Sequence, residues 1–567
     1  MSRDFTGFVH RSGREVHDGR GRRLLLRGFG LGNWLLPEGY MWKFVEPGPM
    51  APRGIEGLFA ELVGAERAAA FWTAFRDSFI TGDDIARMAA LGADHVRLPI
   101  NARVVWTEDG TPIEEGFALV DRLIDWCRRH GLWVVLDLHG APGGQTGKNI
   151  DDSLGTPALF EDPRNRVLTI ALWRYIAERY RDETVVAAYD LLNEPLPEEY
   201  QYSYADRLIA LYRDLTAAIR DVDPNHLIMY EGSHWATNFT GFEVWDENSL
   251  LQFHGYWQPP DRAWIQPYLD AGERLGLPLY MGEGGENNPD WIHTAFTLYE
   301  DHGIGWNFWP WKKIDTLSSP CSVEPPEGWW DIVAYAAGTG PRPSAEAAWA
   351  TLSDLIPRFA VSRCRWRPEL ISALLKTPPL HIPAWGFGYE GEGVSYQTAS
   401  ARPLAGFRAD ERVTILADKT EDGKPNFHHI WGEAREASDQ LHLRLDAGDW
   451  VEYRFELTQP AAVHVSVLRQ AGDSAPEILL DGVAAVPAPD DTANTDDAAN
   501  TDDAANTDNA ANTDNAANTD NAAIADAAAP AGWSYVSSAD LPAGRHRVRL
   551  RATADATVID HLDLRTA

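Results

Sequence analysis

Hydrophobic and polar positions follow two regimes along the 567 residues of the chain. From about Leu24 to about Ile356, short apolar runs alternate with stretches whose apolar residues recur every three or four positions. The runs are LLLRGFGLG, DHVRLPI, WVVLDLHG, AAYDLLNEP, HLIMYEGS, LLQFHGY, LPLYMGEGG and GIGWNFWPW. Each has strand length, and unbroken apolar character marks strands covered on both faces. Amphipathic stretches separate them, such as Phe117 to Gly131, closed by its glycine, and Tyr204 to Val222 before a DPN turn. Strand and helix alternating eight times predict an α/β fold, a (β/α)8 TIM barrel over residues 1–360.

Past Pro357 the pattern changes. Residues 361–382 are broken by proline and read as a linker. Over residues 383–567 apolar and polar positions alternate, as in LHLRLDAGDWVEYRFEL and LPAGRHRVRLR, which predicts an all-β sandwich of half-buried antiparallel strands. A six-residue repeat interrupts it at about 490–529, with Asn494, Asn500, Asn506, Asn512 and Asn518 each opening an Asn-Thr-Asp step. The repeat has almost no large apolar residue with which to order itself, and it lacks the glycines of a calcium-binding roll. A solvated loop is the expectation.

Charge narrows the partners. The net charge is −34, from 50 Lys and Arg against 84 Asp and Glu, which repels nucleic-acid phosphates and anionic lipid surfaces and suits a neutral substrate. Cys127, Cys321 and Cys364 are too scattered for a disulfide framework or a metal site, and no paired-histidine motif is present, so neither metal nor cofactor is expected. Without an apolar leader or membrane-length apolar stretch in the sequence, the expected location is cytoplasmic. The 23 tryptophans suit either sugar stacking or the core of a large barrel.

Polar residues gather at the C-terminal ends of the runs: Arg97, His139, Asn193, Glu194, His254, Tyr256, Glu283 and Trp309. Barrel enzymes build their sites on that rim. Cleaving a β-glycoside with retention needs two carboxyl groups, one to protonate the leaving oxygen and one to attack the anomeric carbon. Glu194 in YDLLNEP and Glu283 in LYMGEGG are the strand-end carboxylates in the most distinctive settings. Arginine near Glu283 would keep that nucleophile ionised, whereas Glu194 calls for a less polar and less cationic setting. His139 and His254 serve either the site or buried backbone carbonyls.

The motifs RLP at Arg97, LDLHGAPGGQTG at His139, LNEP at Glu194, FHGY at His254, GEGG at Glu283 and NFWPWK at Trp309 resemble glycoside hydrolase family 5 across the first domain. The resemblance implies Glu283 as nucleophile, Glu194 as acid/base, Arg97 and Tyr256 around Glu283, and Asn193 on the sugar 2-hydroxyl. It further implies His139, His254, Trp309 and Trp311 as substrate contacts. GFGLGNWLLPEG with Glu38, and HGAPGGQTGKN with Asn149, are similar to the exo-β-1,3-glucanase branch, where a carboxylate after the first strand holds the terminal glucose. Asn149 stands where that branch has Asp, with Asp151 and Asp152 nearby. The later strands resemble galactose-binding-like, jelly-roll carbohydrate-binding modules, with Trp431, Trp450 and Trp533 as candidate platforms. The expectation is an exo-acting, retaining β-glycoside hydrolase that releases a terminal sugar, glucose first, from β-glucosides or β-glucan oligosaccharides. An endo-β-glucanase or mannanase, a diglycoside-specific β-glycosidase and a non-catalytic carbohydrate-binding protein are the alternatives.

Overall fold

A computed structural model describes residues 5–399, 407–418, 425–436, 440–470, 472–487, 532–537 and 540–566. All eight apolar runs form strands. They are Arg27–Gly30, His95–Asn101, Trp133–Gly140, Val186–Asp190, Leu227–Glu231, Ser249–Gly255, Leu279–Gly285 and Gly305–Trp309, here the first to eighth barrel strands. They close in sequence order into one barrel, and every neighbouring pair is parallel. The expected helices are Glu114–His130, whose C-cap Gly131 takes φ 76°, and Ala205–Arg220. Glycine carries that left-handed cap without a Cβ clash. At the N-terminal mouth, Phe5, Val9 and Leu26 pack on Trp133, Val135, Ala188 and Tyr280, which seals the end opposite the rim.

The segment between the first two strands carries three helices, Pro52–Val63, Ala65–Ser78 and Gly82–Ala90. They enclose an aromatic core in which Trp42 meets Phe59, Phe75 and Trp329 at centroid distances of 5.7, 5.2 and 6.0 Å. Trp34, Trp42, Trp133, Trp173, Trp291, Trp306, Trp311 and Trp329 are all fully buried. Much of the tryptophan content therefore belongs to core packing. Among the described residues, no helix is long and apolar enough to cross a membrane.

The chain divides into two compact units, and their boundaries differ from the expected ones. One unit holds Met1–Leu374 together with Asn426–Glu436, and the other holds Leu375–Pro425 and Ala437–Ala567. Residues 361–382 are not a free linker. Arg365–Trp366 pairs with Cys321–Val323, and helix Pro368–Leu375 buries Leu370, Ile371 and Leu374. The prolines there end elements without leaving the chain unpacked.

The second unit is a sandwich of two antiparallel sheets. Leu441–Leu445, Thr557–Thr566 and Val463–Arg469 lie side by side in one, and Trp450–Leu457 and Gly544–Arg551 pair in the other. Leu443, Val465 and Leu562 from the first sheet share a core with Tyr453, Phe455 and Val548 from the second. The alternating pattern is the cause: one residue in two faces the partner sheet. Trp450 lies under the Arg549 guanidinium at 3.8 Å. The Asn-Thr-Asp repeat and the Trp533 side chain lie outside the described residues.

Candidate active site

Arg97 is the hub of the rim. It projects from the second strand, has no exposed surface, and meets four carboxylates. Its Nε donates to Asp190 at 2.8 Å, and one terminal nitrogen reaches Asp137 and Glu231, both at 3.1 Å, and the Asn193 amide oxygen at 2.9 Å. The other terminal nitrogen donates to Glu283 Oε1. Burying such a cluster is tolerable only because each charge finds a partner. Gln252 ties it further by donating to both Asp190 and Glu231.

The cluster shares protons. Burial pushes the Asp137 carboxyl up to about 7, against the pull of Arg97, and Glu231 up to about 8, against His254 and Arg97. Burial also pushes Glu283 upward, while the cationic His254 and Arg97 draw it back. His139 moves the other way, down to about 4, because burial disfavours its cation. It is therefore neutral at pH 7, with Nδ1 donating to Asp137 at 2.7 Å and Nε2 accepting from Asn193 at 3.3 Å. Burial alone would depress His254, but Glu231, Glu283 and Glu194 outweigh it and hold the ring cationic.

These shifts set a stability profile. Asp137, Glu231 and His254 bind more protons folded than unfolded, so they stabilise most at low pH and lose that contribution as pH rises. His139 acts oppositely, but only between about 4 and its ordinary value near 6.5. From about pH 6.5 to 8 only the falling contributions remain within the site. The thermal transition is expected to drop across that interval, and Glu231→Gln should flatten the slope; a transition that rises there contradicts the assignment.

Glu283 accepts from the Tyr256 hydroxyl at 3.0 Å through its second oxygen. Glu194 leaves the fourth strand in a left-handed conformation at φ 40°, with Pro195 behind it and its backbone N–H on Glu231 at 2.6 Å. Its Oε1 accepts from His254 Nδ1 at 2.8 Å. The setting of Glu194 is thus more cationic than expected, because His254 arrives from the sixth strand. One carboxylate oxygen of Glu194 and one of Glu283 lie within 4.8 Å of each other. These two residues and His254 could also hold a metal by distance alone. Their atoms are instead engaged by the Arg97 guanidinium, the Tyr256 hydroxyl and one another, a donor set unsuited to a cation.

A cavity of about 790 Å³ opens over this pair. Glu38, His139, Asn149, Glu194, His254, Tyr256, Glu283 and Trp309 all line it. Arg97 and Asn193 sit behind the wall and hold the lining residues. Trp309 stacks on His139 at 5.4 Å and 12°, and lies over Gly30 and Gly32 of the GFGLG run, where any Cβ would strike the indole. Trp311 is a correction. It is fully buried, its indole donates to Asp84 at 2.9 Å, and it packs on Phe29 in the core. Two residues past the strand end, the chain has turned inward. Asp151 and Asp152 also serve the scaffold: Asp151 caps the backbone of Gln145, Thr146 and Ser153, and Asp152 pairs with Arg53 and Arg103.

Glu38 is buried just before the turn Gly39–Trp42, with its backbone N–H on Asn33 at 3.3 Å. Burial, with Glu283, Glu286 and Glu194 nearby, pushes its carboxyl well above the usual range. The sequence reading missed the group beside it. Lys313 Nζ bonds Glu286 at 2.7 Å and lies 5.4 Å from the Tyr40 ring centroid, and Tyr40 accepts from Trp309 Nε1 at 3.1 Å. The GEGG run carried the only signal for Glu286. Also missed were Trp235, Trp257 and Ile430, which line the cavity from segments without any motif, while Trp431, expected as a platform of the later sandwich, belongs to the barrel unit and lines this cavity instead.

The model of the cellulase family, glycosyl hydrolase family 5, matches residues 60–315. A β-xylosidase of Phanerodontia chrysosporium is 37% identical over 347 residues, spanning 53% of this chain and 70% of that protein. The chain belongs to glycoside hydrolase family 5. Other relatives carry different activities. Endoglucanase C of Acetivibrio thermocellus is 26% identical over 42% of this chain and 86% of its own length. A probable glucan 1,3-β-glucosidase A of Emericella nidulans is 32% identical over 46% of this chain and 66% of its own. As a family 5 member the protein is a glycoside hydrolase, and its eight-stranded barrel is the fold that the six motifs implied.

Proposed function

We propose that the protein is a retaining, exo-acting β-glycosidase that releases a terminal sugar, glucose first, from a β-glycoside. Glu283 is the nucleophile and Glu194 the acid/base. The carrying observation is that one oxygen of Glu194 and one of Glu283 lie within 4.8 Å of each other. Retaining enzymes hold them about 5–5.5 Å apart, whereas inverting ones leave about 6.5–9.5 Å for a water.

Arg97 and Tyr256 grip opposite oxygens of Glu283 and aim it, while His254 and the guanidinium oppose part of the rise that burial imposes on its carboxyl. Glu283 attacks the anomeric carbon, and the glycosidic bond breaks as the leaving oxygen takes a proton from Glu194. His254 occupies Glu194 Oε1, so Oε2 is the oxygen that carries that proton. Glu194 then removes a proton from water, which attacks the anomeric carbon and frees Glu283. Asn193, behind the wall, accepts from Arg97 and turns its amide nitrogen to His139, which holds that ring at the cavity.

Exo action rests on Glu38. A buried carboxyl beside the Glu286–Lys313 pair makes a closed polar end that matches a terminal sugar and stops a passing chain. Chromatography of products from β-linked oligosaccharides tests this. Single sugars should leave from the start, and Glu38→Gln should lower kcat/KM by up to about tenfold, the scale of one ordinary hydrogen bond. Internal cleavage by the wild type would transfer the assignment to an endoglucanase.

A further inference from the structure

The cavity is two-sided. Most of its hydrogen-bonding residues lie on or after the first, third, fourth, seventh and eighth strands, among them Glu38, His139, Glu194, Glu283 and Glu286, with His254 and Tyr256 at the end of the sixth. Across the mouth, after the fifth and sixth strands, the lining turns aromatic with Trp235, Trp257, Trp264 and Tyr268. The backbone is strained there. His234, Trp235 and Ala236 take φ of 54, 57 and 63°, and Trp257 takes 56°. A run of non-glycine residues in the left-handed region costs free energy and persists at functional sites where the surroundings enforce it. Here it turns an indole into the cavity.

One more wall comes from far along the chain. Asn426–Glu436 belongs to the barrel unit although the sequence on either side of it belongs to the other unit. Asn287 donates to the Phe427 carbonyl at 2.9 Å, Asn288 to that of Glu433 at 3.2 Å, and His428 meets Trp257 at 5.0 Å. Gly432, at φ 83°, lies so close to the Leu317 backbone that a Cβ would come within 2.8 Å of it. The segment thus crosses the mouth from the sixth-strand loop to the loop after the eighth. It presents Ile430 and Trp431 to the cavity, with Trp431 45% exposed and Lys43 at 5.2 Å from its ring.

We propose that this segment is the aglycone wall of the site, and that Ile430 and Trp431 select β-glycosides of a bulky apolar alcohol over oligosaccharides. The inference rests on the β-glycosidase reading above. A second sugar would bring hydroxyls that need partners, and the side chains on this side offer few, chiefly His234, Thr237, Gln258 and the Tyr268 hydroxyl. An apolar aglycone needs none and gains by covering the indoles. The cavity's volume is that of a pocket for a drug-sized molecule, so one sugar leaves most of it to fill.

The test compares octyl and methyl β-glycosides of the released sugar, with the matching disaccharide as third substrate. In wild type, kcat/KM for the octyl glycoside should exceed both others by on the order of tenfold, the effect of a modest buried apolar contact. Trp431→Ala should lower the octyl-to-methyl ratio by about tenfold, Ile430→Asn should also lower it, and Trp431→Phe should largely keep it. The wild-type comparison decides even if a variant fails to fold. A disaccharide preferred over the octyl glycoside, or a ratio unmoved by folded Trp431→Ala, overturns the aglycone assignment alone. No cleavage of any β-glycoside overturns the hydrolase reading and this inference with it.

Discussion

Glu283→Gln should lower kcat on every β-glycoside by about 10⁴-fold or more, on the order found when a covalent nucleophile is removed. The substitution keeps the shape and both hydrogen bonds, since the amide oxygen can accept from Arg97 and the other terminus can meet Tyr256. What disappears is the anion that attacks the anomeric carbon, so binding should survive while turnover stops. Steady-state rates on aryl β-glycosides, with ligand binding measured by titration, check both halves. The fold should persist too. A neutral amide at this position leaves Arg97 with Asp137, Asp190 and Glu231 as counter-charges and removes one carboxylate from a crowded, buried cluster. Activity retained above about one per cent would remove Glu283 from the reaction.

Glu194→Ala should split substrates by leaving group. Alkyl glycosides need a proton on the departing oxygen and should slow about 10²–10⁴-fold. Dinitrophenyl glycosides leave without one, so their first step should be nearly unchanged. The glycosyl-enzyme on Glu283 then accumulates, because the base that activates water is missing, and a burst of phenolate precedes slow turnover. Azide, which needs no base, should restore turnover and give a β-glycosyl azide, attack on the covalent intermediate having returned the original configuration. Removing Glu194 also takes a partner from His254, which keeps Glu231 at 3.3 Å. Equal losses for both leaving groups would show that Glu194 only positions His254.

The barrel was legible because its signal is local. Eight apolar runs of strand length, most with a polar or aromatic residue at or near the C-terminal end, follow from burial on both faces and exposure at one rim. The same rule placed Glu194, Glu283, His139, His254 and Tyr256 at one cavity, because a strand end in a closed barrel has nowhere else to point. It failed two residues farther on, at Trp311, where position past the strand no longer dictates direction and the indole found Asp84 in the core.

Sequence alone, then, determined the strands, their order and the pair of carboxylates at the rim. Tertiary structure decided the rest. It placed four acids around Arg97, put cationic His254 against Glu194, set Glu286 and Lys313 beside Glu38, and brought Asn426–Glu436 to the cavity. The physical reason is distance along the chain. Periodicity and turn chemistry act over a few residues, whereas charge pairing and the packing of one segment on another depend on groups tens to hundreds of residues apart.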